Sequence, residues 1–236
     1  MLVEQAIFTS ARTAAQQGYQ LVARSPGLPE GVARFLARWG PSHGALQSDE
    51  VHTASLNYLP IDAEWVACSR TVYGGPEYSG RGALQTVTFI LLLRRPQLAG
   101  YDYHPLALLR TAQLLGHLWL SPPEHADLPA VELPNHLPAA ARHQAAPSAA
   151  RQTILEQSQR ILMRERLAWI GFADAPILLE ELIDRLPEQQ RLDLSFTTGL
   201  QLSQHRRFRL HVMPKPDVAT YGRLSSQGIR FLAPAL

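Results

Sequence analysis

Apolar residues recur at two different periods along this chain, and the switches between them outline its elements. Residues 3–9 and 19–23 alternate or cluster like short strands around a polar loop at 10–18, a spacing that suits a hairpin. After Ser25-Pro26-Gly27-Leu28-Pro29, the residues Val32, Phe35, Leu36 and Trp39 fall at i, i+3, i+4 and i+7, one face of a helix that Gly40-Pro41 ends. Residues 53–61 and 64–73 read as strands. Residues 84–93 form the most hydrophobic strand, which belongs in the middle of a sheet. A helix is predicted over 104–119.

Between 121 and 148 the pattern dissolves into Pro, Ala and His, and Pro122, Pro123, Pro129, Pro134, Pro138 and Pro147 forbid a long helix or a central strand. This stretch reads as a linker or a surface wrap. Beyond it, Ile154, Leu155, Ile161, Leu162, Ala168 and Trp169 repeat at seven-residue spacing, predicting one helix up to Gly171. A second helix starts at Asp174, carries Leu178, Leu179, Leu182, Ile183 and Leu186, and stops at Pro187. Leu192, Leu194 and Phe196, then Phe208, Leu210 and Val212, alternate with polar residues and predict a closing pair of strands. The expected class is α+β: an N-terminal mixed sheet with two helices (1–120), a proline-rich linker (121–148), and a helical hairpin with a C-terminal β-strand pair (149–236).

Composition narrows the function. The 236 residues are 46% hydrophobic and can bury a sizeable core. The formal net charge of +2, from 22 basic and 20 acidic side chains, argues against nucleic acid or an anionic membrane as an obligate partner. Lys215 is the only lysine. The single cysteine, Cys68, rules out an internal disulfide framework and a cysteine zinc site, and fits a reducing compartment. With no signal-peptide pattern at the start and no apolar run near the ~20 residues that span a bilayer, a cytoplasmic location is expected.

The candidate chemistry centres on Tyr73-Gly74-Gly75-Pro76-Glu77-Tyr78-Ser79-Gly80-Arg81-Gly82, a glycine-rich turn between two strands. Ser79 lacks the Gly-x-Ser-x-Gly spacing of a nucleophile elbow, although His52, His104 and His117 could supply a base by inventory. Arg81 among glycines could meet a phosphate, act in trans on a partner's nucleotide, or tie two loops together. No phosphate-loop or dinucleotide glycine motif occurs, and the nine histidines show no metal-ligand spacing, so no cofactor or metal is expected. Arg206, Arg207 and Arg209, with Lys215 beyond, form the densest basic patch. On a strand, Arg207 and Arg209 would share a polar face, either simply solvated or offered to an acidic partner.

Two blocks then resemble a known family. Ile7-Phe8-Thr9-Ser10-Ala11-Arg12 followed by Gly18-Tyr19-Gln20-Leu21-Val22-Ala23-Arg24-Ser25-Pro26-Gly27-Leu28-Pro29 resembles the N-terminal domain, type 2, of bacterial GTPase-associated proteins. Tyr78-Ser79-Gly80-Arg81-Gly82 and Tyr103-His104-Pro105 fit the same order, and Leu194-Ser195-Phe196-Thr197-Thr198 is similar to a strand of the family's middle region. The resemblance implies an adaptor or regulator that acts with a partner GTPase, or other proteins of the same system, in a bacterial conflict system of anti-phage type. On that reading Tyr78, Ser79, Arg81, Arg207 and Arg209 bind the partner and no residue is catalytic. A departure at Ala83-Leu84-Gln85-Thr86-Val87-Thr88, where the family would carry polar residues such as Asn and His, also weighs against catalysis. A serine hydrolase built on Ser79 and a structural subunit of a larger assembly are the alternatives.

Overall fold

In the computed structural model, residues 1–12, 16–77, 84–119, 127–135 and 148–234 are described. The predicted hairpin is present: β1 (Leu2–Arg12) pairs antiparallel with β2 (Gln17–Arg24). Helix α1 (Glu30–Trp39) follows and buries Val32, Leu36 and Trp39, the stripe seen in the sequence. Then come β3 (Ala54–Pro60), β4 (Trp65–Pro76) and β5 (Leu84–Arg94), each antiparallel to the next, and β5 closes against β1. The long apolar run of β5 is explained by burial on both faces: Phe89, Leu91 and Leu93 face one cluster, Ile90 and Leu92 the other.

A short 3-10 helix (Arg95–Tyr101) leads into α2 (Pro105–Leu114), which ends sooner than the predicted 119. Gly116 and Leu118 both have positive φ, 84° and 63°, so the chain leaves helical geometry there. Part of the proline-rich stretch is ordered onto the sheet: β6 (Val131–Glu132) pairs with Leu2 and Val3 of β1, and Val131 and Leu133 are buried. Residues 121–126 and 136–147 of that stretch lie outside the described residues.

The C-terminal part departs from the expected helical hairpin and strand pair. Helix α3 (Ala149–Leu162), capped by the Ser148 side chain, stops at Leu162, and β7 (Arg166–Ile170) takes the residues expected to continue it. Leu167, Ala168, Trp169 and Ile170 are all buried, as in a strand covered on both faces. Helix α4 (Ala175–Arg185) follows as predicted and packs on α3, so the two helices meet but with a strand between them in the chain. Residues 188–193 form a short helix α5 (Glu188–Asp193), not a strand; only Phe196–Thr197 remain extended as β8. Then come β9 (Leu210–Met213), α6 (Val218–Ser226) and β10 (Ile229–Leu232).

These late strands are parallel: β8 to β9, β9 to β7 and β7 to β10. A single antiparallel step, Asn57 opposite Thr197 and Tyr58 opposite Phe196, joins β8 to β3. One mixed sheet results, in the order β10-β7-β9-β8-β3-β4-β5-β1-β2, with β6 off β1. The fold is α+β. The 3-10 helix, α2, α3 and α4 cover one face around Cys68, Phe89, Leu91, Leu167 and Trp169. On the other, α1 covers Phe8, Ala67, Ile90 and Leu92, and α6 covers Ala168, Ile170, Met213 and Ile229. Among the described residues no helix is long and apolar enough to cross a membrane.

Candidate functional site

Tyr78, Ser79, Gly80, Arg81 and Gly82 lie outside the described residues. Their anchors are well defined. The β4–β5 pairing breaks register between Tyr73 and Pro76, with Gly75 at φ 103°. Ser10 donates its hydroxyl to Glu77 (3.0 Å), and Gln85 donates to the Thr9 hydroxyl (2.8 Å) and the Ser10 carbonyl (2.6 Å). Glu77 and Gln85, on either side of the turn, are thus tied to the far end of β1. Of the histidines considered beside Ser79, His104 is buried and committed to structure: its Nδ1 accepts the Ala107 N–H at the start of α2, and its Nε2 is 3.5 Å from Asp184 of α4. His52 is exposed and His117 half-buried.

The feature missed in the sequence is a row of buried polar side chains across the sheet face between the α1 and α6 clusters. Thr88 of β5 meets Thr71 of β4 (3.1 Å), and Asn57 of β3 donates to Ser69 (3.2 Å) and Thr71 (3.3 Å). Its amide oxygen accepts the hydroxyls of Ser55 (2.8 Å) and Thr197 (2.6 Å). All are fully buried. They are covered because residues 45–47 and 199–201 pair with each other over this face, through Gln47 N–H to Gly199 and Gln201 N–H to Ala45. Gly199 comes so close that a Cβ there would sit 3.0 Å from the Ala54 carbonyl.

The row ends on β9 at His211, the strand partner of Thr197. His211 is 1% exposed, its Nδ1 has no hydrogen-bond partner among the described residues, and the Phe208 ring stands edge-on to it at 5.7 Å. Burial, with Arg166 and Arg206 nearby, pulls its pKa down to about 4. The unfolded chain takes up a proton as pH falls through about 6.5, while the folded chain refuses it until about 4. Stability is therefore complete above pH 6.5 and is lost below it. The expected loss between pH 7.5 and pH 5 is about 2 kcal/mol, read by urea denaturation at both values. His211→Gln should remove most of that difference; an unchanged slope would refute the assignment.

Arg207 and Arg209 do not share a strand face as expected, because β9 begins only at Leu210. Arg207 is exposed, its Nε donating to the Gln204 carbonyl (3.3 Å). Arg209 is half-buried and donates to the Leu162 carbonyl at the end of α3. Lys215 is not part of their patch: it follows β9 at its other end, on the order of 15–20 Å away at about 3.3 Å per residue.

Lys215 instead borders a cavity of about 260 Å³ at the carboxyl end of β9, lined by Gln47, Gln201, Met213, Thr220 and Arg223 among others. The carboxyl ends of parallel strands are where ligands enter open α/β sheets. Here Asp217 caps α6 through the Thr220 N–H (2.8 Å), so a carboxylate already occupies the helix start beside the two cations. The sequence did carry a signal for this turn, Pro214-Lys215-Pro216-Asp217 ahead of a helical stretch. Cys68 lies in the core of β4, where burial pushes its thiol pKa up and leaves it unreactive. Among the described residues no group of three or more His, Cys, Asp or Glu could hold a metal ion.

No curated protein and no solved structure matches this chain. The family described as GTPase-associated protein 1, N-terminal domain type 2, matches residues 2–134, from the first residue of β1 to just past β6. The match covers the antiparallel part of the sheet with α1 and α2, and it includes the glycine-rich turn and both blocks that carried the N-terminal resemblance. With more than half of its length matched, the chain belongs to the GTPase-associated protein 1 family, through an N-terminal domain of type 2.

Proposed function

We propose that this protein is a cytoplasmic, non-enzymatic adaptor or regulator that works beside a partner GTPase in a bacterial conflict system of anti-phage type. The observation that carries this reading is the family match over residues 2–134, a family described by its association with a GTPase. The partner surface is the Tyr78, Ser79 and Arg81 turn together with Arg207 and Arg209. Two features support a binding role over catalysis: His104 is spent on capping α2, with Asp184 3.5 Å from its other ring nitrogen, and the buried hydroxyls of the polar row satisfy one another.

The test is recovery of tagged protein from its native host with GTPγS or GDP, followed by reconstitution of any recovered GTPase from purified components. A GTPase whose binding changes with the nucleotide is the expected result. Recovery of none under either condition would remove the support for this reading. Fluorophosphonate labelling that disappears in Ser79→Ala would replace it with the serine hydrolase. Stoichiometric co-purification of other subunits, indifferent to nucleotide, would replace it with the structural subunit.

A further inference from the structure

Parallel pairing brings together two arginine-bearing segments that are far apart in the sequence. Leu167 of β7 lies opposite Leu210 of β9, and the Leu167 N–H donates to the Arg209 carbonyl (2.7 Å). The segments leading into these strands, Arg164-Glu165-Arg166 and Arg206-Arg207-Phe208-Arg209, therefore sit side by side at the amino edge of the parallel strands. Arg230, exposed on β10, flanks β7 on its other side.

Little on the chain balances this charge. Arg209 is spent on the Leu162 carbonyl and lies in the field of Asp193. Arg166 donates to the Gln227 carbonyl at the end of α6. Arg164, Arg166, Arg206 and Arg207 enter no ion pair among the described residues. Arg206 is the most telling of them. It is half-buried, its Nε is shielded from solvent without a hydrogen-bond partner among the described residues, and burial lowers its pKa. Burial, and after it the charge of Arg207, lowers the pKa of Arg166, so the like charges feel one another.

A guanidinium already partly stripped of water and left unpaired is costly in the free protein, and it gains most when a carboxylate arrives. Arginines of this kind anchor protein interfaces. We propose that the amino edge of the parallel strands is a docking surface for an acidic segment of a partner protein, with Arg206 and Arg207 as its anchors. A protein fits better than nucleic acid. Phe208, the aromatic side chain between the arginines, is 2% exposed and turned into the core against Trp39, so it offers no ring to a base. Glu165 also interrupts the positive track. The inference rests on the adaptor reading for the identity of the partner, but its test does not.

The probe is a fluorescein-labelled octaglutamate peptide, with an oligothymidylate of equal charge as the competitor class, titrated onto the full chain at low and physiological ionic strength. Arg207→Glu should weaken peptide binding about tenfold or more, whereas Lys215→Glu, at the other end of β9, should leave it within about twofold. Equal losses in the two variants would mean diffuse charge and overturn the site. Tighter binding of the oligonucleotide than of the peptide would overturn the choice of a protein partner.

Arg206→Leu supplies a second readout. It should raise the melting temperature of the free protein by about 2–4 °C while removing the stabilisation that the peptide gives the wild type. A lower melting temperature would show that the guanidinium supports the loop, and would overturn its role as an anchor. Neither outcome depends on recovering a GTPase: peptide binding that stands while no GTPase is found refutes the adaptor reading alone, and the reverse refutes this edge alone.

Discussion

Trp169→Ala is expected to destabilise the protein by about 4 kcal/mol, the range of large aromatic truncations in well-packed cores. Trp169 is fully buried on β7, between β9 and β10 in the parallel part of the sheet. Its indole N–H donates to Ser158 of α3 (2.9 Å), whose hydroxyl donates in turn to the Ile154 carbonyl (2.7 Å), and its ring packs on Phe172 at 6.2 Å. The side chain thus fixes α3 to the sheet by volume and by a directed bond. Urea denaturation followed by circular dichroism measures the loss. Trp169→Phe keeps most of the volume and should cost about 1 kcal/mol, the hydrogen bond alone. An alanine variant within about 1 kcal/mol of wild type would mean that α3 does not depend on this strand.

The same tryptophan shows where the sequence could be read and where it could not. The β1–β2 hairpin, α1, β3, β4 and β5 were legible because their apolar residues either cluster in a strand-length run or keep one period, and most of them stop beside Gly or Pro. β7 was not. Ile161, Leu162, Ala168 and Trp169 happen to continue the spacing of α3, and the intervening Met163-Arg164-Glu165 contains no residue that breaks a helix. What separates the elements is tertiary: Leu167, Ala168 and Trp169 find parallel partners on both sides, and four of the five residues of the strand are buried. The alternation of Leu192 and Leu194 misled in the opposite direction, because Pro187 starts a new short helix there. Within the site, Arg207 and Arg209 were singled out by local density alone. Only the pairing of β7 with β9 reveals that Arg164 and Arg166 share their edge while Lys215 does not.

The polar row was invisible for a related reason. Ser55 and Asn57 alternate with apolar neighbours, which on a single strand is the signature of a solvated face, and Ser69 and Thr71 flank the charged Arg70. They are buried because two loops from distant parts of the chain close over them.

Asn57→Leu, similar in size, tests this row and should destabilise by about 4 kcal/mol. Asn57 stands at the only strand pairing that joins the antiparallel and parallel parts of the sheet among the described residues. Its two amide atoms serve the hydroxyls of Ser55, Thr197, Ser69 and Thr71. Leucine would return nothing to any of them. Each buried polar group left without a partner costs about 1–3 kcal/mol, and the remaining contacts, Ser55 to Thr197 (3.0 Å) and Thr71 to Thr88 (3.1 Å), can absorb part of the loss. Because the damage falls at the junction, protection of the amides in β8 and β9 from hydrogen exchange should fall more than that of β1 and β5. Asn57→Asp, which keeps an acceptor but buries a charge amid hydroxyls, should be at least as harmful at pH 7 and recover as the carboxyl is protonated. If Asn57→Leu proved neutral, the hydroxyls would be satisfying each other without the amide, and the continuity of the sheet would rest on the backbone pairing of β3 with β8 and the loops over it.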